Sequence, residues 1–156
     1  MGRITTVLPL ILLPLVLLIR MALNAIDGML AREHDQKSDL GAVLNELGDV
    51  LSDAALYLPF AVLPFVSAPL VVGLVLLAIV GEMTGVVGVQ IGASRRYDGP
   101  FGKSDRAALF GLCGLLMAFG LTAPLLYQAL FGAGLALSAV TIWNRARAAL
   151  KEIRQA

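Results

Sequence analysis

Five polar side chains, set at the edges of two apolar stretches, have the types and spacing to do chemistry. Asn24 and Asp27 lie three apart, and Asn45, Asp49 and Asp53 follow one another at intervals of four. On a helix each set falls on one face. The segment Glu33–Ser38 between them is short, so the two helix ends are expected side by side and antiparallel. Their polar faces then converge. Oxygen donors of this kind suit Mg²⁺ or Mn²⁺ rather than zinc. A charge at the centre of a membrane helix costs about 2.5–3.5 kcal/mol, so acidic residues in such helices are rarely idle. A solvated loop face accounts for Glu33, Asp35 and Asp39. It does not account for Asp49 and Asp53, which lead straight into the apolar run Ala54–Pro69. Nearby, Gly28, Ala31 and Gly41 leave room for a ligand or a close helix. Arg32 offers a planar, permanently charged fork for phosphate. Helix packing and a topology-setting arginine explain those same four residues without any ligand.

The elements that must position these groups are membrane helices. Of 156 residues, 58% are hydrophobic and 15% charged. A soluble domain is closer to half apolar and a quarter charged, which argues against an ordinary soluble enzyme. The net charge of +1 gives no electrostatic case for nucleic acid. Apolar runs cover Ile4–Ile19 (reaching to Ile26), Ala54–Pro69 with a helical approach from Leu40, Leu70–Ile91, Ala107–Leu121 and Leu125–Trp143. A bilayer core takes about 20 apolar residues of helix. The expected fold is therefore all-α, a polytopic transmembrane helical bundle of about five spans. It forms one domain over 1–156. Ser67-Ala68-Pro69 and Thr122-Ala123-Pro124 read as tight turns. The first run is not read as a signal peptide, because Arg20 follows it and no small-x-small cleavage site lies close behind.

Basic residues give the topology. Arg32 and Lys37 follow the first span, Arg95, Arg96, Lys103 and Arg106 the third, and Arg145, Arg147, Lys151 and Arg154 the fifth. The turns after the second and fourth carry none. Alternating spans put all three basic segments on one side, which the positive-inside rule makes cytoplasmic, with the N-terminus outside. Trp143 and Asn144 mark the interface, and Arg145–Gln155 reads as a short basic interfacial helix.

With the signature residues in their membrane setting, a family resemblance emerges. The ordered set Asn24-x2-Asp27-Gly28-x2-Ala31-Arg32-x8-Gly41-x3-Asn45-x3-Asp49 resembles the signature of the CDP-alcohol phosphatidyltransferases, D-x2-D-G-x2-A-R-x8-G-x3-D-x3-D. Six of its eight residues match; Asn24 and Asn45 stand where the pattern has Asp. The resemblance implies an integral-membrane enzyme of phospholipid biosynthesis, usually six-helical and commonly dimeric. Such an enzyme moves a phosphatidyl or similar group from CDP-diacylglycerol or another CDP-alcohol to an acceptor alcohol and releases CMP. Family aspartates hold two divalent metals, and the last is the usual candidate base. Carried over, Asn24, Asp27, Asn45 and Asp49 are the metal positions. Gly28, Ala31, Arg32 and Gly41 belong to the donor, and Asp49 is the proton acceptor. Asp53, one turn on, could restore a missing charge or serve as the base instead. The two amides leave one metal or a weak pair as alternatives. The expected location is the inner (cytoplasmic) membrane, with the site facing the cytoplasm. Five spans instead of six also means that a helix expected before Ile4 is missing, through a misassigned start or a shortened relative.

The loop Ser94–Arg106 fits this scheme. Gly102-Lys103-Ser104 is not a P-loop, since Tyr97 stands where its first glycine belongs and no strand precedes it. The loop is similar to a basic loop of the transferase family. Arg95, Arg96, Lys103 and Arg106 would then gather acceptor or lipid-headgroup charge, though positive-inside topology alone explains them equally. Glu82, inside the third span, either lines the cavity or bonds a neighbouring helix. His34 has no metal-spaced partner and reads as solvated, and Cys113 reads as packing. Two function classes stay open: a CDP-alcohol phosphotransferase, or a non-catalytic membrane relative acting in binding or interaction. A small transporter would be expected to carry its acidic groups deeper and more widely spread.

Overall fold

The computed structural model describes residues 2–33 and 38–155; the side chains of 2–6, 27, 28, 31 and 32 also lie outside the described set. His34, Asp35 and Lys37 therefore fall outside the described residues. Among the described residues five helices follow one another: α1 (Gly2–Glu33), α2 (Asp39–Tyr57), α3 (Ala68–Gln90), α4 (Lys103–Ala118) and α5 (Pro124–Gln155). A 3-10 turn, Leu58–Val62, extends α2. No strand occurs among the described residues, so the all-helical expectation holds.

Three helices are long and apolar enough to cross a bilayer by themselves: α1 over Val7–Ile26, α3 and α5. The other two fall short for a reason that matters below. Helix α2 carries Asp39, Glu46, Asp49 and Asp53, and α4 opens on Lys103, Asp105 and Arg106. Both give up apolar length to bring charge to one end of the bundle.

Several expected boundaries are corrected. The second apolar run is not a continuous helix to Pro69. The α-helix stops at Tyr57, the 3-10 turn with Pro59 in its first turn carries the chain to Val62, and the bend lies before Ser67. Pro69 and Pro124 are not turn residues but sit in the first turns of α3 and α5. There a missing N–H costs nothing and the fixed φ suits a helix. Arg145–Gln155 is not a separate interfacial helix; α5 runs through it unbroken.

The principal pairings are α1 with α4 and α3 with α5, with α2 packed on α3. Small residues let the backbones approach. A Cβ on Gly114 would stand 3.3 Å from the Leu10 carbonyl oxygen, and one on Gly111 3.7 Å from Pro14 Cα. At the bundle centre the Tyr57 and Phe110 rings stack at 4.1 Å, with Phe60 edge-on to Phe110 at 5.1 Å. Phe131 closes the cluster 5.2 Å from Phe110. Cys113 is fully buried beside it, as a packing residue should be. Large apolar side chains on the outer faces, such as Leu15, Leu18, Leu76 and Leu125, stay exposed and suit a hydrocarbon solvent.

Candidate active site

The end of the bundle where α1, α3 and α5 finish and α2 and α4 begin gathers the charge. Arg20 and Asn24 are one turn apart on α1, and Asn45, Asp49 and Asp53 are successive turns on α2. The i, i+4 spacing presents each set along one helix face. The two faces meet: Asn24 Nδ2 donates to Asp49 Oδ1 at 2.9 Å, and Arg20 Nη2 donates to the Asp49 main-chain oxygen at 2.9 Å. Arg20 also pairs with Asp53 through its other terminal nitrogen.

Helix α2 starts where it does because Ser38 caps it, its Oγ accepting from the Gly41 N–H at 3.0 Å. A Cβ at Gly41 would lie 2.9 Å from that oxygen, so this glycine serves the cap. Helix α4 is set differently. Asp105 Oδ2 accepts from the Gly102 N–H at 2.7 Å, and Thr141 Oγ1 of α5 accepts from the Phe101 N–H at 3.0 Å. Gly99, at φ +126°, lets the loop lie against Thr141, where a Cβ would come within 2.6 Å. These ties hold Lys103 over Asp49 in an ion pair.

Around and beneath them lies an array of ion pairs, closed off at Asp53 and Arg106. Arg106 Nη2 reaches Asp53 Oδ2 at 3.2 Å and Glu82 Oε1 at 3.0 Å. Arg145 Nη1 reaches Glu82 Oε2 at 3.4 Å and donates to the Gly81 carbonyl at 2.7 Å. Arg95 crosses over Gly85 to meet Glu46 Oε2 at 2.8 Å and Glu82 Oε2 at 3.2 Å. A Cβ at position 85 would fall 1.5 Å from the Arg95 guanidinium, so the glycine is what admits it.

Above the array opens a cavity of about 270 Å³, walled by Asn45, Glu46, Asp49, Glu82, Arg95, Lys103 and Arg145 together with Tyr97, Ser104 and Asp105. The residues singled out in the sequence divide as follows. Asn45, Asp49, Arg95 and Lys103 line the cavity, and Asn24 touches it through Asp49. Asp53 and Arg106 lie below, buried against each other. Arg96 points away, bonded to Asp98 and to Glu152 of α5. Its guanidinium holds the Asp98 carboxyl below the usual carboxylate range. Glu152 is lowered too, first by the Ser94 N–H and hydroxyl and then by Arg96. Asp27, Gly28, Ala31 and Arg32 belong to α1, but their side chains lie outside the described residues. Glu33 and Asp39 are exposed, as a solvated face requires. Glu82 does both things open to it: it lines the cavity and bonds neighbouring elements.

Sequence reasoning missed Arg20, Glu46 and Arg145 as site residues. A signal existed for two of them. Arg20 stands one turn before Asn24, on its face. Arg145 continues the buried stripe Ser138, Thr141, Arg145, Ala149, whereas Arg147 does not.

The donor set tests whether a divalent ion fits. Asn24, Asn45 and Asp49 offer hard oxygens, with Asn45 and Asp49 on an open wall, which suits one Mg²⁺ or Mn²⁺. Of these three donors only Asp49 carries negative charge. Among the described residues no three carboxylate, histidine or cysteine side chains come together as a metal cage.

Comparison with known proteins gives two matches. The family model described as CDP-alcohol phosphatidyltransferase matches residues 4–143. Inner membrane protein YnbA of Escherichia coli (strain K12) is 58% identical over 108 residues, which are 69% of this chain and 54% of that protein. The chain thus spans about half the length of the curated relative it matches. No solved structure matches.

Proposed function

The chain belongs to the CDP-alcohol phosphatidyltransferase family, and from that membership and the site geometry we propose that it transfers a phosphatidyl or similar phospho-alcohol group. The donor is CDP-diacylglycerol or another CDP-alcohol, the acceptor is an alcohol hydroxyl, and CMP is released. The observation that carries this reading is the convergence of Asn24 from α1, Asn45 and Asp49 from α2 and Lys103 from α4 around one open cavity.

In the reaction the acceptor oxygen attacks the donor phosphorus nearest the lipid or alcohol, in line with the bond to CMP. A P–O bond to the acceptor forms, the P–O bond to CMP breaks, and the hydroxyl proton passes to a carboxylate. We assign this role to Asp49, a reading supported by its position on the cavity wall. Asp53 takes a supporting role in this reading, since Arg20 and Arg106 occupy both of its oxygens. Arg95 and Lys103 on the wall offset phosphate charge, and Arg32 would bind phosphate through its fork. A divalent ion, held by Asp49, Asn24 and Asn45 with Asp27 of the same signature, would neutralise the diphosphate when bound. The basic residues in the last turns of α1 and α5 and between α3 and α4 favour a site facing the cytoplasm.

One observation favours a second reading, a non-catalytic relative that binds lipid or a partner: with amides at 24 and 45 and two cations on Asp49, the signature donors described there carry little free negative charge. The test is CMP release from CDP-diacylglycerol by the purified protein in nanodiscs, with Mg²⁺ or Mn²⁺ and a panel of acceptor alcohols. Metal-dependent release supports the transferase. Binding of CDP-diacylglycerol without release under every condition supports the second reading.

A further inference from the structure

Two cations touch Asp49, and they are held in different ways. Arg20 is fixed. It is 14% exposed, donates to the main-chain oxygen of Asp49, and is tied by its other nitrogen to the buried Asp53. It cannot leave without taking from the buried Asp53 one of its two cationic partners. Lys103 has no such tie. Among the described residues its one ion pair is with Asp49 Oδ1, and its side chain is 20% exposed at the cavity wall. It sits in the first turn of α4, where the helix dipole disfavours a cation, so Asp49 is what holds it there. Its ammonium is a point charge on a flexible stem and can swing into the cavity.

We propose that Lys103 is the exchangeable counter-cation of Asp49: it holds on that carboxylate the positive charge that a divalent ion would otherwise bring, so the two compete for Asp49. This rests on the reading of Asp49 as a cation ligand given above. The neutral amides at 24 and 45 make the competition decisive, because neither adds charge that would let the carboxylate serve both at once. Lys103 thereby sets how tightly the site takes metal, and when metal enters, its ammonium is released toward the donor phosphates.

The experiment is Mn²⁺ titration followed by electron paramagnetic resonance, on the full chain in nanodiscs without substrate. Lys103→Gln should bind Mn²⁺ about tenfold tighter than wild type, the scale of one screened like charge removed. Lys103→Arg should not tighten binding. Adding Asp49→Asn to Lys103→Gln should abolish the gain. Binding by Lys103→Gln no tighter than wild type, or a gain that survives Asp49→Asn, overturns the proposal. A second measurement needs no variant. Amine acylation of wild type, mapped by mass spectrometry, should increase at Lys103 when Mg²⁺ is added and stay constant at the remote Lys151. Unchanged labelling of Lys103 contradicts the proposal. CMP release is measured separately: a wild type that releases no CMP while Lys103→Gln tightens Mn²⁺ binding fails the transferase reading and leaves this one standing.

Discussion

Asp49 and Asp53 are one turn apart on the same helix and both pair with two cations, yet they belong to different regions. Asp53 and its partner Arg106 are 9% and 3% exposed, closed in by α3 and α4; Asp49 and Lys103 are 25% and 20% exposed and face a cavity. The difference teaches which charge is architecture and which is available. A buried pair has nothing to exchange its partner with, and losing one member leaves the other uncompensated. A pair on a cavity wall can trade its partner for a ligand at little cost. Two carboxylates one turn apart, the last of the signature and the next beyond it, therefore differ in burial and in how freely their partners can be exchanged.

The comparison breaks most visibly at Asp53. Asp53→Asn should leave Arg106 and Arg20 short of charge and lower stability by about 3–5 kcal/mol. Thermal unfolding in nanodiscs measures this; an unchanged transition would mean the buried pairs of Asp53 are not what holds this end together. Gly85→Ala tests how the array is joined to the cavity. The new methyl would displace Arg95 from Glu46 and Glu82 and cost about 1–3 kcal/mol. Unaltered stability and unaltered activity together would show that Arg95 does not need that passage.

The smallest effect lies at the exposed clamp between the loop and α5. Glu152 titrates below the ordinary glutamate range because Ser94 and Arg96 bond its carboxylate. The sign follows from linkage. A lowered folded value gives stability that is fully present above the ordinary glutamate range and is lost as pH falls through the lowered value. Amide exchange at Ser94 should accelerate over that acidic interval. Glu152→Gln should show fast exchange at neutral pH already, with the acid-dependent step removed.

Much of this was legible in the chain. The spacing Asn24…Asp49 identified the family region, and the apolar runs anticipated five helices. The boundaries of α2 were not legible, because Ala54–Pro69 is apolar whether it continues as α-helix or turns at Pro59 into a 3-10 segment. The ion-pair partners were hidden for a different reason. Arg20 with Asp53, Arg106 with Asp53 and Arg145 with Glu82 join different helices, and a helical period states only the face on which each residue lies. Positive-inside counting also treats Arg145 and Arg147 alike, although only Arg145 is buried. The pairing of α1 with α4 rests on Gly111 and Gly114, which read from sequence as any glycines in an apolar run.

The division between the two aspartates is tested most directly by Asp49→Asn, scored for both stability and CMP release from CDP-diacylglycerol in nanodiscs. Removing the proposed proton acceptor should lower release by about 10²- to 10⁴-fold. The thermal transition should stay near that of wild type, because an open pair contributes little to stability. An Asp49→Asn protein that releases CMP at the wild-type rate, or that unfolds as readily as the Asp53 variant, would contradict the account.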